Sequence, residues 1–478
     1  MIKFGTGGGR GLIGEEFTRE NVELAARAMV QLLTDEKKTE RPVIIGYDRR
    51  FLSKEAMYWI GQILASHGIR TLLVKRASPT PLIMYYVQKH ELYYGMMVTA
   101  SHNPARYNGI KVFIEEGRDA GEAVTEKIER AALLVEEEER FTEKLSLEEL
   151  RASGLLEEIN PINEYLDDIL EKIDVQAIRN RELRVAVDPM FGVSMRSLNI
   201  ILATMRCETE ILHARHDTLF GGKMPAPAWE TIQALRNHVM DYDYDIGIAT
   251  DGDADRLGII DDKGQYLSAN DIISLIYYYF LEYKGCRGPV VKNIATTQLL
   301  DNIAAAYGQK CFEVPVGFKH ISAKMEETGA LIGGESSGGL TIASHIKGKD
   351  GIFAAALLIE IMAKTEKTLS ALKQEMDDRF GSFYTDERSF RFTPEGKRKL
   401  EEEIFDRMHL PVFPCNERKL SWEDGCKVYF DTGWLLIRFS GTEPLLRLFC
   451  EMQDKVQAQR INDLVEEYYS LRKMEAYR

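Results

Sequence analysis

Disulfide architecture is the first thing this chain lacks. Its six cysteines, at 207, 286, 311, 415, 426 and 450, form no CxxC pair and no closely spaced set in 478 residues. That argues against a disulfide-stapled scaffold and a cysteine zinc site, and it fits reduced thiols in a cytosol. Basic charge is also scarce: 61 Lys and Arg against 75 Asp and Glu leave a formal charge of −14. Nucleic acid is therefore not expected as a main partner, because phosphate backbones attract basic surfaces. A small anion is not excluded, since a local cluster of Arg and Lys binds phosphate inside an acidic protein. Long apolar runs are missing too. The longest, "IISLIYYYFL" at 272–281, is about half of the roughly 20 residues that a spanning helix needs, and it predicts a buried helix. The opening "MIKFGTGGGR" has no apolar signal core, so a cytoplasmic protein with no membrane partner is expected.

What is present is an alternation of short β-rich runs with helical patterns. "VIIGYD" (43–48), "RTLLVK" and "YYGMMV" are separated by helical stretches. The cadence restarts at "RVAVDP" (184–189), and again at "PVVKNI" (289–294) and "KCFEVPV" (310–316). Strands alternating with helices of this length predict α/β units. Near residue 380 the pattern changes to a helix, a meander of strands and a final helix from about Asp454, a smaller α+β unit. The expected division is 1–155, 156–262, 263–378 and 379–478. Residues 120–175 read as an acidic helical connection, and no exact repeat links the units.

The strongest chemical signal is "ATDGDADRLGIID" at 249–261. Asp251, Asp253 and Asp255 alternate with small residues, so an extended backbone would aim all three carboxylates one way. Like charges that close repel unless a cation sits among them, and hard oxygen ligands suit Mg²⁺ or Mn²⁺. An EF-hand fails, because its sixth and twelfth positions hold Arg256 and Asp262. A solvated acidic turn is the competing reading, and the apolar strands on both sides weigh against it.

"TASHNP" sets Ser101 between a strand and an Asn-Pro turn, without the G-x-S-x-G elbow of lipases. A serine hydroxyl is a weak nucleophile until a base or metal activates it. Phosphorylated, it would carry roughly −1.5 to −2 charge and offer oxygens to the cation. "WLLIRFSGTEPLLRLFCE" (434–451) places Arg438, Ser440, Gly441, Thr442 and Arg447 around a tight turn, the make-up of a phosphate cradle. "IGGESSGGL" (332–340) carries Glu335, Ser336 and Ser337 on a Gly-rich loop that reads either as a plain turn or as a loop suited to sugar hydroxyls. "PVGFKHI" offers Lys319 and His320. "FGTGGGRG" (4–11) has too little chain before it for a dinucleotide fold, and instead delivers Arg10 to an anion.

Taken in order, "FGTGGGRG", "GYDRRFLS", "TASHNP", "NGIKVF", "TDGDADR", "PVGFK", "GGESSGG" and "RFSGTEPLLR" closely resemble the α-D-phosphohexomutase family, the phosphoglucomutases and phosphomannomutases. The match runs through nearly the whole chain. It implies three consecutive α/β mixed-sheet domains around a cleft, plus a smaller, mobile C-terminal α+β domain. It implies a phosphoserine at Ser101, and Mg²⁺ held by Asp251, Asp253, Asp255 and the serine phosphate. Arg10, His102, Lys111 and Arg256 would line the phosphoryl-transfer site. Glu335 and Ser337 would read the sugar with Lys319 nearby, and Arg438 to Glu443 with Arg447 would grip the other phosphate.

The expected reaction interconverts hexose 1- and 6-phosphates, glucose before mannose, through a hexose 1,6-bisphosphate that also serves as activator. The expected assembly is a monomer or homodimer. The alternatives are a phosphoglucosamine mutase, a phosphotransferase that releases the bisphosphate, and a non-catalytic phosphosugar binder. Two positions depart from the family pattern. A histidine closes the sugar loop in the dual-specificity branch, where this chain has Gly339, and Gly9 stands where a bulky residue is common. His320, His345 and Lys111 are the candidates to replace that histidine in proton transfer.

Overall fold

The computed structural model of the chain describes residues 2, 4–5, 8–137, 144–440 and 445–475. Four sheets follow one another along the sequence. The first three share a strand order that no sequence repeat announces. In the first, Thr71–Val74, Val43–Tyr47 and Tyr94–Val98 run parallel, and Tyr107–Ile114 returns antiparallel beside the last of them. In the second, Glu208–Ile211, Arg184–Asp188 and Ile246–Thr250 run parallel, and Leu257–Ile260 returns. In the third, Cys311–Val314, Val290–Asn293 and Ile332–Gly334 run parallel, and Leu340–Ile342 returns.

The reversal has one consequence for function. In each sheet it creates a turn just beyond the carboxyl end of a parallel strand, the place where α/β sheets present ligand-binding groups. Those three turns carry "TASHNP", "DGDADR" and "ESSGG".

Two strands sit beyond the expected boundaries. Leu156–Ile159 pairs with Thr71–Val74, which carries the first sheet past residue 155. Residues 120–175 are thus not wholly helical: Leu156 is buried against that sheet, and this outweighs the acidic, helix-like composition around it. Tyr266–Leu267 pairs with Leu257–Ile260 and carries the second sheet past 262. The fourth sheet is antiparallel throughout, ordered Tyr384–Arg391, Leu445–Met452, Gly433–Phe439, Cys426–Phe430 and Glu417–Ser421.

One continuous core runs through the first three units, and the fourth has its own. "IISLIYYYFL" lies in the helix Ala269–Glu282, buried as expected. The helix Gly351–Thr365 is apolar on almost every side and is buried from Gly351 to Ala363, its one buried acid, Glu360, pairing with Lys284 at 2.7 Å. Each of its buried Leu and Ile side chains contributes about 1.5–3 kcal/mol. Asp350 caps its start by accepting from the Ile352 and Phe353 backbone N–H groups at 2.8 and 3.0 Å. That cap places Lys349 and Gly351 against the second unit, where the Gly351 N–H donates to the Ala254 carbonyl at 3.2 Å. The fourth unit meets the third through a small apolar cluster of Ile294, Ala295, Trp434, Leu436 and Phe449. Among the described residues no helix is long and apolar enough to cross a membrane.

Candidate functional site

Ser101 is buried, in a left-handed backbone conformation with φ of 51°. A non-glycine residue holds such a φ only where its surroundings enforce it. Here the enforcement is visible. Arg50, with a fully buried side chain, donates to the Ser101 and Asn103 carbonyls at 2.6 Å, to Pro104 at 2.9 Å and to Tyr107 at 3.0 Å. Asp48 pairs with Arg50 Nε at 3.3 Å and accepts from Thr99 Oγ1, which in turn accepts from the Ser101 N–H. The opposite side is closed by Gly252, where a Cβ would lie 2.8 Å from the Ser101 carbonyl oxygen. The loop is clamped on both sides.

The Ser101 hydroxyl donates to Asp251 Oδ2 at 2.7 Å, from the first unit to the second. Oxygens of Asp251, Asp253 and Asp255 all lie within 4.8 Å of one another. This convergence does not come from an extended strand, as the spacing suggested. The segment is a turn between two strands, and Ala254, at φ of 64°, folds the carboxylates together. Lys111 Nζ donates to Asp253 Oδ2 at 2.7 Å and to Asp255 Oδ2 at 2.8 Å, and Thr80 Oγ1 donates to Asp253 Oδ2 at 2.6 Å.

Burial and its two neighbouring carboxylates push the Asp251 pKa well up. Burial acts the same way on Asp255, but Lys111, Lys349 and Arg256 outweigh it and hold that carboxyl well below its usual range. Three details fit a cation among the carboxylates and an anion beside it. Asp253 Oδ1, Asp255 Oδ1 and Arg256 Nε are buried with no hydrogen-bond partner among the described residues. Unpartnered buried charge of this kind is costly, and a divalent ion and an oxyanion would relieve it. His102 Nδ1 lies 3.3 Å from Ser101 Oγ. Burial, with Arg256 and Arg10 nearby, pushes the His102 pKa down to about 2, which leaves the ring neutral. Arg10 is exposed, on the strand Gly8–Leu12 opposite Gly109.

The third turn packs against the second. Glu335 accepts from Ser337 Oγ at 2.7 Å, and Gly338 lies against the Arg256 side chain. Lys319, at the start of the helix Phe318–Thr328, reaches to Glu122 of the first unit at 3.0 Å.

Four family models match consecutive stretches of the chain. They are domains I (residues 1–139), II (163–264) and III (268–380) of phosphoglucomutase/phosphomannomutase, and its C-terminal domain (386–467). A protein of Thermococcus kodakarensis named phosphoglucomutase/phosphomannomutase is 32% identical over 464 residues, 96% of this chain and 97% of its own length. The chain belongs to the α-D-phosphohexomutase family. It is a phosphohexomutase, an intramolecular phosphotransferase. A phosphoglucosamine/phosphogalactosamine mutase of Sulfurisphaera tokodaii is 28% identical, covering 97% of each chain. Among solved structures, a putative phosphomannomutase of Thermus thermophilus superposes with a TM-score of 0.83 at 26% identity, over 98% of this chain and 99% of its own.

In this phosphohexomutase Gly339 stands where the resemblance to the dual-specificity branch led a histidine to be expected, and the structure gives the glycine a reason. A Cβ at 339 would lie 2.3 Å from Cδ of Lys349 and 3.0 Å from its Cγ. The lysine stem occupies that space, and its Nζ reaches Asp255 Oδ2 at 3.3 Å. Sequence reasoning missed Lys349. Its only signal was a lysine directly before the Asp-Gly that starts an apolar helix. Arg50 and Asp48 were also missed as working residues, although they lie inside "GYDRRFLS". Asp119 was missed as well. Burial raises its pKa, and Lys349 and Lys111 oppose that rise.

His345 is not in the cleft. Its ring is buried between Tyr165 and Phe353, with Nε2 2.7 Å from Asp350. It is thereby removed from the candidates for proton transfer.

In the fourth sheet, Arg438 and Arg447 are direct cross-strand partners. Like charges so placed destabilise a sheet unless counter-charge lies beside them, and a carboxylate, Asp424, meets Arg438 Nε at 2.8 Å. Ser440 follows, its N–H donating to the Leu445 carbonyl at 2.7 Å. Gly441, Thr442 and Glu443 lie outside the described residues.

Proposed function

We propose that this phosphohexomutase is Mg²⁺-dependent and interconverts hexose 1- and 6-phosphates, glucose before mannose, through phospho-Ser101 and a hexose 1,6-bisphosphate. The observation that carries the reading is Ser101 Oγ at 2.7 Å from Asp251, within a group of three buried aspartates that Lys111 only partly neutralises. Asp251, Asp253 and Asp255 would hold the cation, which when bound supplies charge neutralisation at the phosphoryl oxygens.

The chain's own residues do the rest. Arg50 and Asp48 hold the serine at its strained φ, so that Oγ faces the second unit. Lys111, Lys349, Arg256 and Arg10 surround the phosphoryl group with positive charge, the main requirement of phosphoryl transfer. The bond from phosphorus to Ser101 Oγ breaks as one forms to the free sugar hydroxyl, and the proton lost from that hydroxyl balances the one that the released Ser101 Oγ takes up. The bisphosphate then turns over, and its other phosphate returns to Ser101. Glu335, Ser337 and Lys319 face the sugar. Arg438, Ser440 and Arg447, with Gly441, Thr442 and Glu443, hold the phosphate that stays.

Intact-mass measurement before and after incubation with glucose 1,6-bisphosphate tests the proposal. The wild-type chain should gain one phosphoryl group and Ser101→Ala none. No gain in the wild type, or an equal gain in the variant, overturns it. A second reading, an amino-sugar substrate, is supported by the relative named phosphoglucosamine/phosphogalactosamine mutase. A coupled assay with glucose, mannose and glucosamine phosphates separates the two.

A further inference from the structure

Asp424 lies in the turn that leads into the strand Cys426–Phe430, outside every motif considered above. Its Oδ1 accepts from Arg438 Nε at 2.8 Å, and its Oδ2 accepts from the Val316 backbone N–H at 2.7 Å. One carboxylate thus joins the cradle arginine of the fourth unit to the third-unit loop that leads into Lys319. Its charge also bears on His320, a few residues beyond Val316. Both partners of the ion pair are mostly buried, at 21% side-chain exposure each, which makes the charge-assisted bond stronger than a surface pair. With Nε committed to Asp424, the two Nη groups of Arg438, which have no hydrogen-bond partner among the described residues, remain for an oxyanion. Lys427 to the Ile294 carbonyl and Glu313, and the Gln298 N–H to Glu451, also fasten these units, but neither involves the cradle.

We propose that Asp424 is a positioning residue for the mutase reaction, aiming Arg438 at the retained phosphate and tying that grip to the Lys319 loop while the bisphosphate turns over. The inference rests on the bisphosphate reading above. A charge argument alone gives the opposite sign, since a carboxylate beside an anion site repels the anion and its removal would tighten binding. The direction of the change in KM therefore decides.

The test uses the full chain with D424A, D424N, R438A and the double variant D424A/R438A. It measures KM, kcat and the bisphosphate released to solution per turnover. D424A should raise KM about ten- to a hundredfold, the effect of losing a charge-assisted hydrogen bond. It should also release more bisphosphate, so that added glucose 1,6-bisphosphate restores part of its rate. D424N keeps one acceptor oxygen and should fall between wild type and D424A. The double variant should be no worse than R438A, because Asp424 acts through that arginine. An unchanged or lowered KM in D424A, or additive effects in the double variant, overturns the inference. Should D424A fail to fold, D424N and D424N/R438A carry the same comparison. If the wild type takes no phosphoryl group from glucose 1,6-bisphosphate, the underlying reading has failed. If it does, and D424A neither raises KM nor leaks intermediate, only the role of Asp424 has failed.

Discussion

Replacing Asp253 by asparagine should abolish cation binding while leaving the fold in place. Asp253 Oδ2 accepts from Thr80 and Lys111, while Oδ1 is buried and unpartnered among the described residues. An asparagine that keeps those two hydrogen bonds must put its NH₂ where Oδ1 was, so it aims donors at the place a cation would take. Losing a charged ligand and gaining a misplaced donor should cost several kcal/mol of binding. A loss of about 3 kcal/mol is already a weakening of more than about a hundredfold. The structural cost is smaller, because Lys111 retains Asp255 at 2.8 Å. That places it at about 1–2 kcal/mol rather than the ~3–5 kcal/mol of a fully orphaned buried charge. Thermal unfolding with and without Mg²⁺ reads both effects. At about one hundred times its Kd, the ion should stabilise the wild type by about 2.7 kcal/mol and the variant by almost nothing. An Mg²⁺-dependent rise in Tm as large as the wild type's would refute the assignment, whatever the activity.

Gly339→Ala should force the Lys349 stem aside at a cost of about 1 kcal/mol. Turnover should fall at least about tenfold as Nζ leaves Asp255, by the loss of about 1.4 kcal/mol or more of transition-state stabilisation. Unchanged kcat and Tm would show that the glycine reserves no space. His345 predicts a pH dependence of stability. Burial lowers its pKa, but hydrogen bonds to Asp168 and Asp350 outweigh that and hold it above the ordinary value. Its contribution is thus fully present below the unfolded pKa of about 6.5 and lost as pH rises through the folded value. The Tm gap between wild type and His345→Gln should be widest at the acid end and close with rising pH. A gap of constant size would count against it.

Much of the fold was legible because it is local. Alternating strand and helix runs announced the α/β units, and the helix Ala269–Glu282 was marked by an unbroken apolar run. The strand Leu156–Ile159 was not legible, since it depends on one buried leucine docking on a strand far earlier in the chain. At the site, residue types gave the aspartate trio and the serine loop, although the reason offered for the trio's convergence was wrong. A turn through Ala254, not an extended strand, gathers the carboxylates. Lys349 and Asp424 stayed hidden because a lone Lys or Asp in sequence looks like any solvated surface residue, and Arg50, though inside "GYDRRFLS", carries no local sign of the distant carbonyls it meets.

By itself, the sequence determined which chemical groups this protein owns and the order in which they appear. Composition, motif spacing and short-range periodicity depend only on neighbours along the chain. Tertiary structure alone decided which of those groups meet. The return strands of three sheets bring turns about 150 and 235 residues apart to one place. A glycine at 339 gains its meaning only because the side chain of Lys349 lies across it. Contacts between distant segments are set by packing the whole core at once, and no local pattern records them.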